Sequence, residues 1–514
     1  MTQNINQITP KAIIFNTSFR KTNISKLIQQ VRIIKDIERP VHRMTVTLNS
    51  SMSGNLKTSI THNKILAHLK SQININSIIS LKVDSRSKKH SFLGFIDHIF
   101  ESTTSSNNTT NRVLVLNCSL LLPKLLLKDN IINSPVLSSH SKIREELGDR
   151  VKFFKWSRGM TKDGKSPFSG KPEEAVKWIL ENVPATNTNV GNELFAKSFF
   201  DPKKKDLDGK SLLDFKFLNG EFLFSQNLSR YSGPILNYIY QCIDRQFYEV
   251  FFDTTTCEDG LAYNKMIIRT KPFSFLNYKE GIENSIVSNW SFFDDLKTTE
   301  ISSEERIFEN LGINDYELKN FFTVNFAHSM VGSSSSYLGK FGLQFPIINI
   351  DSIKRYGLRD IQMTSFLKND LTNESKNLQY LLSKREKAVE WFAYPYYESG
   401  QLTIIARDDI TIGQILNYKD KLYYDVDNGK TFQGVQYYIS GITENFTFGD
   451  THTQTLRLTR GAPKGLAVNW LNENRPSFIS TGEIKEDGAN GIESINKPIG
   501  IDNLFDLERT EWLA

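Results

Sequence analysis

Two β-rich regions lie far apart in this sequence, and they constrain its fold more than any other feature. In "VHRMTVTLN" the apolar residues Met44, Val46 and Leu48 alternate with polar ones, a period typical of a half-buried strand. The stretches "INSIISLKVDS", "HSFLGFIDHIF" and "NRVLVLNCSLLL" follow it, and "GQLTIIARDD", "DKLYYDV", "VQYYISGITENFTF" and "THTQTLRLTRG" form a second closely spaced group near the other end. The sequence therefore predicts an α+β, mainly β fold with two strand sets of similar size.

A chain of 514 residues is too long for one core, because cores stop growing near about 250–300 residues. We predict a first tube-like β-barrel domain over 1–130, a helical or mixed inserted domain over 131–231, a second tube-like β-barrel domain from 232–275 with 400–462, a mixed insertion with a long helix over 276–399, and an acidic C-terminal tail over 463–514. No fixed-period repeat is visible, but a duplicated small barrel would explain the two strand sets. We expect them to share a topology and to lie in separate sheets.

Charge and cysteine content exclude several protein classes. The formal charge is +6, and residues 481–514 carry eight acidic and three basic residues, which leaves +11 on residues 1–480. That charge is too dilute for a typical nucleic-acid binder. Three scattered cysteines (Cys118, Cys242, Cys257) do not form a disulfide framework and favour a reducing cytoplasm. We expect neither a signal peptide nor a membrane span, since there is no long apolar run.

Reactive motifs are missing from the sequence. The eight histidines form no H-E-x-x-H pattern, and there is no G-x-S-x-G, P-loop or G-x-G-x-x-G stretch. Carboxylates are plentiful, but acid–base catalysis needs a pair placed across a cleft. We therefore predict a protein that is not an enzyme, with no catalytic residues, no cofactor and no metal site.

Six motifs follow one another in a specific order. They are "GFID" (Gly94–Asp97), "RTKPF" (Arg269–Phe273), "YGLR" (Tyr356–Arg359), the strand and turn of Gly400–Gly413, "YYI" (Tyr437–Ile439) and "TQTLRLTRG" (Thr453–Gly461). In this order they resemble the baseplate hub proteins of contractile phage tails and related injection systems, the family of late-control protein D and the T-even tail hub. The resemblance covers roughly residues 10–128 and 240–462.

The resemblance implies a structural hub. Three chains, each with two tube-like barrels, would form a homotrimeric, pseudo-sixfold ring that joins the sixfold tail tube to the threefold central spike and initiates tube assembly. Expected partners are the tail tube or a tube-initiator protein, the central spike protein and baseplate wedge proteins, with the tape-measure protein as a further candidate. DNA or an effector would pass through the ring without specific binding. The expected location is the virion's tail baseplate, assembled in the host bacterial cytoplasm, or a cytoplasmic contractile injection particle.

Within the matched motifs, six residues are candidates for structural or interface roles: Tyr356, Gly357, Arg359, Arg269, Pro272 and Arg460. Gly357 would permit a positive φ. Arg359 could bind a carboxylate or backbone carbonyls through two donors, either across a domain or subunit junction or within an ordinary turn of one domain. The role that the resemblance implies for all six is architectural.

Two other functions remain open from the sequence. A baseplate-associated cell-wall hydrolase or effector component would have to house its activity in residues 131–231. A receptor- or carbohydrate-binding β protein would display aromatic residues on loops. In the acidic tail, an apolar-periodic cluster after residue 500 predicts a linker over 480–500 and a short docked segment over 501–513.

Overall fold

The computed structural model describes fourteen stretches of the chain. They are residues 9–15, 20–49, 59–84, 89–106, 109–128, 130–131, 172–182, 204–216 without 208, 221–223, 233–271 without 244, 246 and 259–261, 296–326, 347–369 without 366, 388–448 without 390, and 452–473. Most of the predicted domain 131–231, most of the long helix predicted within 276–399, the tail beyond residue 473 and Pro272 lie outside them.

Twenty-three strands are present in the described residues. The first eleven are β1 (Thr9–Phe15), β2 (Lys21–Asn23), β3 (Ile28–Asp36), β4 (Arg43–Asn49), β5 (Ile78–Asp84), β6 (Lys89–Ser106), β7 (Thr109–Leu120), β8 (Asn130–Ile131), β9 (Leu213–Lys216), β10 (Glu221–Leu223) and β11 (Gly233–Pro234). The others are β12 (Tyr248–Thr256), β13 (Ala262–Thr270), β14 (Thr298–Ile301), β15 (Arg306–Ile313), β16 (Phe321–Phe326), β17 (Ile347–Ile348), β18 (Asp360–Ser365), β19 (Leu367–Asn369), β20 (Glu398–Ile405), β21 (Ile415–Asp425), β22 (Lys430–Thr447) and β23 (His452–Ala462).

Helices are fewer and short. They are α1 (Ser59–Gln72), α2 (Leu121–Lys128), α3 (Pro172–Asn182), α4 (Ile235–Cys242), α5 (Ile350–Tyr356) and α6 (Leu466–Glu473), with 3₁₀ turns at Ser25–Leu27 and Ser303–Glu305. The mainly β fold class is confirmed. Within the described stretches, none of the helices is long and apolar enough to cross a membrane.

Thirteen strands form one sheet. Its main path runs β15–β20–β23–β22–β3–β4–β7–β6–β5–β1–β2, while β21 pairs with β22 and β14 with β21. The smaller sheets of the described residues are β12–β13–β9, β17–β16–β18, β10–β19 and β11–β8.

The large sheet contains one strand order twice. The first strand set is β3–β4–β7–β6–β5–β1, and the second strand set is β15–β20–β23–β22–β21–β14. In each set the leading strand follows a 3₁₀ turn, and the fourth strand is 18 residues long. The one difference in direction is that β14 runs parallel to β21, whereas β1 and β5 are antiparallel. The chain therefore contains an internal duplication of strand order.

Matching β-bulges fix the residue correspondence between the fourth strands of the two sets. The register of β6 on β7 shifts between Ile96 and His98, and that of β22 on β23 shifts between Ile439 and Gly441. A bulge adds one residue to one strand at a defined point. His98 of the first set therefore corresponds to Gly441 of the second.

The leading strands correspond in the same way. Their register on the neighbouring strand shifts between Ile28 and Gln30 in β3 and between Arg306 and Phe308 in β15. Gln30 thus corresponds to Phe308. The offset is 278 residues here but 343 between His98 and Gly441, because insertions separate the strands of the second set. That is why no fixed-period repeat is visible in the sequence.

Each strand set has a hydrophobic core built from the alternating residues of its strands. In the first set Val31, Ile33 and Val46 are fully buried. Apolar residues of helices α2 to α4 and of the β12–β13 hairpin belong to the same core. The second core contains aliphatic residues such as Leu402 and also buried tyrosines such as Tyr437. The alternation of Met44, Val46 and Leu48 that was read from the sequence is confirmed for β4, since all three side chains are buried.

Two expectations about the strand sets differ from the structure. The expectation that the two strand sets lie in separate sheets was wrong, because β22 pairs with β3 and joins the two sets into one sheet. The hairpin β12–β13 does not enter the sheet of residues 400–462 but forms its own sheet with β9. Instead β14 and β15, from the region expected to be an insertion, complete the second set; their sequences "TTEI" and "RIFENLGI" lack a clear apolar alternation. The domain boundaries and the closure of each set into a barrel stay predictions.

Candidate functional site at the junction of the strand sets

The two strand sets meet at a seam, which we define as the paired residues of β3 and β22. Seven antiparallel pairs run from Asp36 opposite Gly441 to Gln30 opposite Thr447. A Cβ on Gly441 would lie 3.2 Å from the Lys35 carbonyl oxygen, so the backbones approach closely there. The second half of β22 thus has β3 on one side and β23 on the other, and it belongs to both sets.

A buried ion pair connects the seam to the β12–β13 hairpin. Lys35 Nζ of β3 lies 2.8 Å from Asp253 Oδ1 of β12, with only 15 % and 24 % of the two side chains exposed. Burial alone would lower the pKa of Lys35, but the Asp253 carboxylate outweighs it and raises that pKa. Burial likewise opposes ionisation of Asp253, yet Lys35 holds the pKa of Asp253 below its ordinary value. Both groups therefore stay charged.

Arg457 of β23 crosses the seam from the other side. Its Nη2 lies 2.8 Å from Asp36 Oδ1 and 3.3 Å from Glu38 Oε2, and its Nε donates to Ser440 Oγ at 2.9 Å. A guanidinium is suited to this arrangement, because its donors point in several fixed directions. The end of β3 is thereby tied to both β22 and β23.

His42 lies buried beside the same end of β3. Its Nε2 is 3.2 Å from the Asp36 carbonyl oxygen, and 2 % of the residue is exposed. Burial lowers the pKa of His42 to about 4, although Asp253 acts in the opposite direction. The imidazole is therefore neutral at ordinary pH, and a proton there would bring a charge into the seam.

Arg269, one of the sequence-predicted candidates, sits in a second buried network between the hairpin and the second strand set. Its Nε lies 2.5 Å from Glu249 Oε1, and its Nη2 donates to the Gly413 carbonyl at 2.6 Å and to Tyr438 Oη at 3.3 Å. Tyr438 Oη in turn donates to Glu249 Oε2 at 2.5 Å. Burial opposes the charge on Arg269, but Glu249 outweighs it and raises the Arg269 pKa.

Gly413 is required at this point for two reasons. Its φ is +76°, a conformation that glycine adopts readily. A Cβ there would lie 2.4 Å from Arg269 Nη2. The turn before β21 can therefore pack against Arg269 at the end of β13 only with a glycine at position 413.

Arg460, another candidate, is 4 % exposed and lies within its own chain. Its Nη2 donates to the Trp391 carbonyl, and its guanidinium carbon is 3.5 Å from the centroid of the Trp391 ring and 4.8 Å from that of Tyr397. Burial lowers the pKa of Arg460 and lowers that of nearby Lys271 to about 8. Arg460 also has a φ of +58°, which is uncommon for a residue with a side chain.

The "YGLR" candidates form a separate turn. Gly357 ends α5 with a φ of +77°, a conformation that a glycine permits. Arg359 Nη2 lies 2.5 Å from Asp315 Oδ2, and its Nε donates to the Tyr356 carbonyl at 3.3 Å. These partners lie in the same chain.

Asn320 organises this turn and was not identified from the sequence. It is fully buried, its Nδ2 donates to the Gly357 carbonyl at 2.7 Å, and its Oδ1 accepts from the Arg359 backbone N–H at 2.7 Å. No local pattern marks an asparagine whose partners lie 37 and 39 residues away.

The structure brings only some of the candidates together. Arg269 and Arg460 are linked through Tyr438, whose ring meets that of Trp391 edge-on at 6.4 Å. Tyr356, Gly357 and Arg359 form their own group around Asn320, and Pro272 lies outside the described residues. Sequence reasoning missed the seam residues and the ion pair that links Lys35 of the seam to Asp253 of β12, two positions that differ by 218. Among the residues that the structure describes, no group of three or more His, Cys, Asp or Glu could hold a metal ion.

No family model matches the sequence, and no curated protein matches it. Among solved structures, the tail protein from Neisseria meningitidis MC58 is 10 % identical with a TM-score of 0.42, over 89 % of this chain and 98 % of that one. The 43 kDa tail protein of prophage MuSo2 from Shewanella oneidensis is 8 % identical with a TM-score of 0.42, over 88 % and 98 %.

A third similar structure is that of the E. coli c3393 protein. It is described as a component of the type VI secretion system with structural similarity to the T4 bacteriophage tail proteins gp27 and gp5. It is 9 % identical to this chain with a TM-score of 0.36, over 86 % of this chain and 74 % of that one. All three similarities are weak in both identity and TM-score.

Proposed function

We propose that this protein is a structural component of a contractile tail or a related injection machine, and within it the baseplate hub. Three copies would form a pseudo-sixfold ring that joins a sixfold tail tube to a threefold central spike and initiates tube assembly. The proposal assigns the chain no catalytic role.

The observation that carries this proposal is the internal duplication within one continuous sheet. Each chain supplies two units of the same strand order, joined at the seam of β3 and β22. Three chains would then supply six similar units, which is the number needed to match a sixfold partner on one side and a threefold partner on the other. Four of the six motifs that resemble hub proteins lie in these two strand sets or in the turn before β21: Gly94–Asp97, Gly400–Gly413, Tyr437–Ile439 and Thr453–Gly461.

The face of the sheet opposite the cores suits a channel wall. One row of paired residues crosses both sets as Thr453, Asn445, Arg32, Thr45 and Asn117. Thr45 Oγ1 donates to Asn117 Oδ1 at 3.1 Å, so these polar groups bond to one another. A polar surface of this kind would let DNA or an effector pass without specific binding.

The proposed partners follow from the proposed place in the machine. The ring would contact the tail tube or a tube-initiator protein on one side and the central spike on the other, with wedge proteins around it and the tape-measure protein as a further candidate. The proposed location is the tail baseplate of a virion, assembled in a bacterial cytoplasm, or a cytoplasmic injection particle.

The mass of the purified protein in solution tests this proposal directly. Light scattering after gel filtration should give three times the chain mass of 58.9 kDa, and class averages of negatively stained particles should show threefold rings with six lobes. A monomer at every concentration, or a ring of another order, would contradict the hub. A monomer that degrades cell walls would support the hydrolase instead.

A further inference from the structure

The internal duplication leaves two strand edges that correspond to the two sides of the seam. β15 corresponds to β3, but among the described strands it pairs only with β20. The second half of β6 corresponds to the part of β22 that pairs with β3, but within the described part of the chain it pairs only with β7. Each edge thus lacks the neighbour that its counterpart has.

Both edges carry exposed apolar side chains. On β15, Ile307 and Phe308 are each 55 % exposed and Ile313 is 45 % exposed, while Phe100 of β6 is 50 % exposed. An exposed apolar edge strand is a site where another strand pairs. Six of the eight residues of β15 are exposed, so none of the described segments of its own chain covers this edge.

We propose that β15 of one copy pairs antiparallel with the second half of β6 of a second copy, and so repeats between chains the seam that β3 and β22 form within one. This inference rests on the proposed self-assembly and names the surface that performs it. A head-to-tail contact of this kind joins two different surfaces of identical chains, and it forms a closed ring when the rotation between copies is a fraction of a full turn.

The register follows from the correspondence of the bulges. The seam pairs Gly441 with Asp36, and these residues correspond to His98 and Asn314. Continuing along both strands places Ile99 opposite Ile313, Phe100 opposite Gly312 and Ser102 opposite Asn310. In each pair the first residue belongs to β6 of one copy and the second to β15 of another copy.

The side chains fit this register. Nothing lies within 4 Å of the position that a Cβ on Gly312 would take, so there is room for the ring of Phe100 from the second copy. An aromatic side chain lying across a strand glycine covers backbone that would otherwise face water. Ile99 and Ile313 supply an apolar pair next to it, in place of the Ile442 and Lys35 pair of the seam.

Disulfide trapping tests the register. Residues directly opposite each other on antiparallel strands are close enough for a disulfide, and the three native cysteines are buried. The double variant Ser102→Cys with Asn310→Cys should therefore form covalent oligomers up to the trimer on mild oxidation, while each single variant should not. The matched control, Ser102→Cys with Phe308→Cys, is displaced by two residues and should be trapped at least several-fold less.

A complementary pair of substitutions tests the contact itself. Gly312→Val has room in a single chain, so the fold should be unchanged by circular dichroism, but it would collide with Phe100 of the second copy. Self-association should weaken at least tenfold, and adding Phe100→Ala should restore it. Self-association that is unaffected by Gly312→Val would overturn the proposed pairing.

The mass measurement separates the two proposals. A trimer whose Ser102 and Asn310 cysteines are not trapped above the displaced control would overturn this pairing and leave the hub intact. A protein that stays monomeric at every concentration would overturn both.

Discussion

β3 and β15 hold the same place in their strand sets, yet one is covered and the other is open. Both follow a 3₁₀ turn and both begin with a bulge against the next strand. Two of the nine residues of β3 are exposed, against six of the eight of β15. The difference lies in the neighbour, because β22 lies beside β3. Burial of a strand is therefore decided by what pairs with its outer edge as much as by its own sequence.

The side chains at the two places differ in kind. Within the seam the end of the strand carries Lys35 and Asp36, each with an oppositely charged partner. The corresponding residues at the end of β15 are Ile313 and Asn314. Charged groups can be buried permanently in a chain that always supplies their partners, whereas apolar edges also tolerate a period in water.

The largest expected effect comes from a matched pair of core substitutions in these strands. Ile33→Ala, at a position 1 % exposed, should lower the free energy of unfolding by about 2–5 kcal/mol. Leu311→Ala, at the corresponding and only partly buried position of β15, should cost about 1 kcal/mol because less surface leaves water. Urea unfolding of the dissociated chain measures both. Equal losses would show that β15 is packed as well as β3 without any partner.

A pH titration of stability addresses the buried histidine of the seam. The His42 pKa is about 4 in the folded chain and 6.5 without burial. Between pH 6.5 and 4, His42 is therefore protonated in the unfolded chain but neutral in the folded chain. Stability should fall by up to about 3 kcal/mol as the pH drops from 6.5 to 4. His42→Gln should remove that slope. Asp253 acts in a different window, below 3.8, because its pKa is depressed.

A slope unchanged by His42→Gln would contradict the burial of His42 at the seam. The stretch that follows β15, residues 314–320, contains no histidine. The loss of stability that His42 causes between pH 6.5 and 4 therefore has no counterpart in the stretch that follows β15.

The smallest of the three effects concerns the "YGLR" turn after α5, which is bound to Asp315 just beyond the end of β15. Arg359→Ala should cost about 1 kcal/mol, because the Asp315 carboxylate that loses its donor is 45 % exposed and water can replace part of the interaction. Arg359→Lys should recover little of that loss, since an ammonium group cannot replace the fork of donors. Thermal unfolding beside the exposed control Lys430→Ala checks this. If both Arg359 variants melt like the control, the residue does not stabilise the turn.

The sequence predicted the strands better than their neighbours. The alternation around Val46 marks a strand with a buried face, and that face is buried. The same alternation does not encode which strand lies alongside, so the pairing of β22 with β3 and the separate sheet of β12 and β13 were missed. A pairing between residues 36 and 441 leaves no local trace in a single sequence.

Candidate residues were found where a local constraint exists. Gly357 was singled out in the "YGLR" motif as a residue that would permit a positive φ, and its φ is +77°. Arg269 and Arg460 were recognised through motifs, and both lie in buried networks. Asn320, Asp253 and Lys35 have ordinary local surroundings, and only the folded chain brings them to their partners.

The unequal connections of the two sets have a consequence for how such a chain changes over evolutionary time. Residues 37–42 suffice to connect β3 to β4, whereas the corresponding connection from β15 to β20 takes residues 314–397 and contains β16 to β19 and α5. Lengthening a connection costs little free energy once its ends are held together, about 0.6 kcal/mol for each doubling. A duplicated unit can therefore acquire a whole accessory layer at one bend while its ladder of hydrogen bonds stays in register, and new binding specificities can arise there without altering the strands of the large sheet.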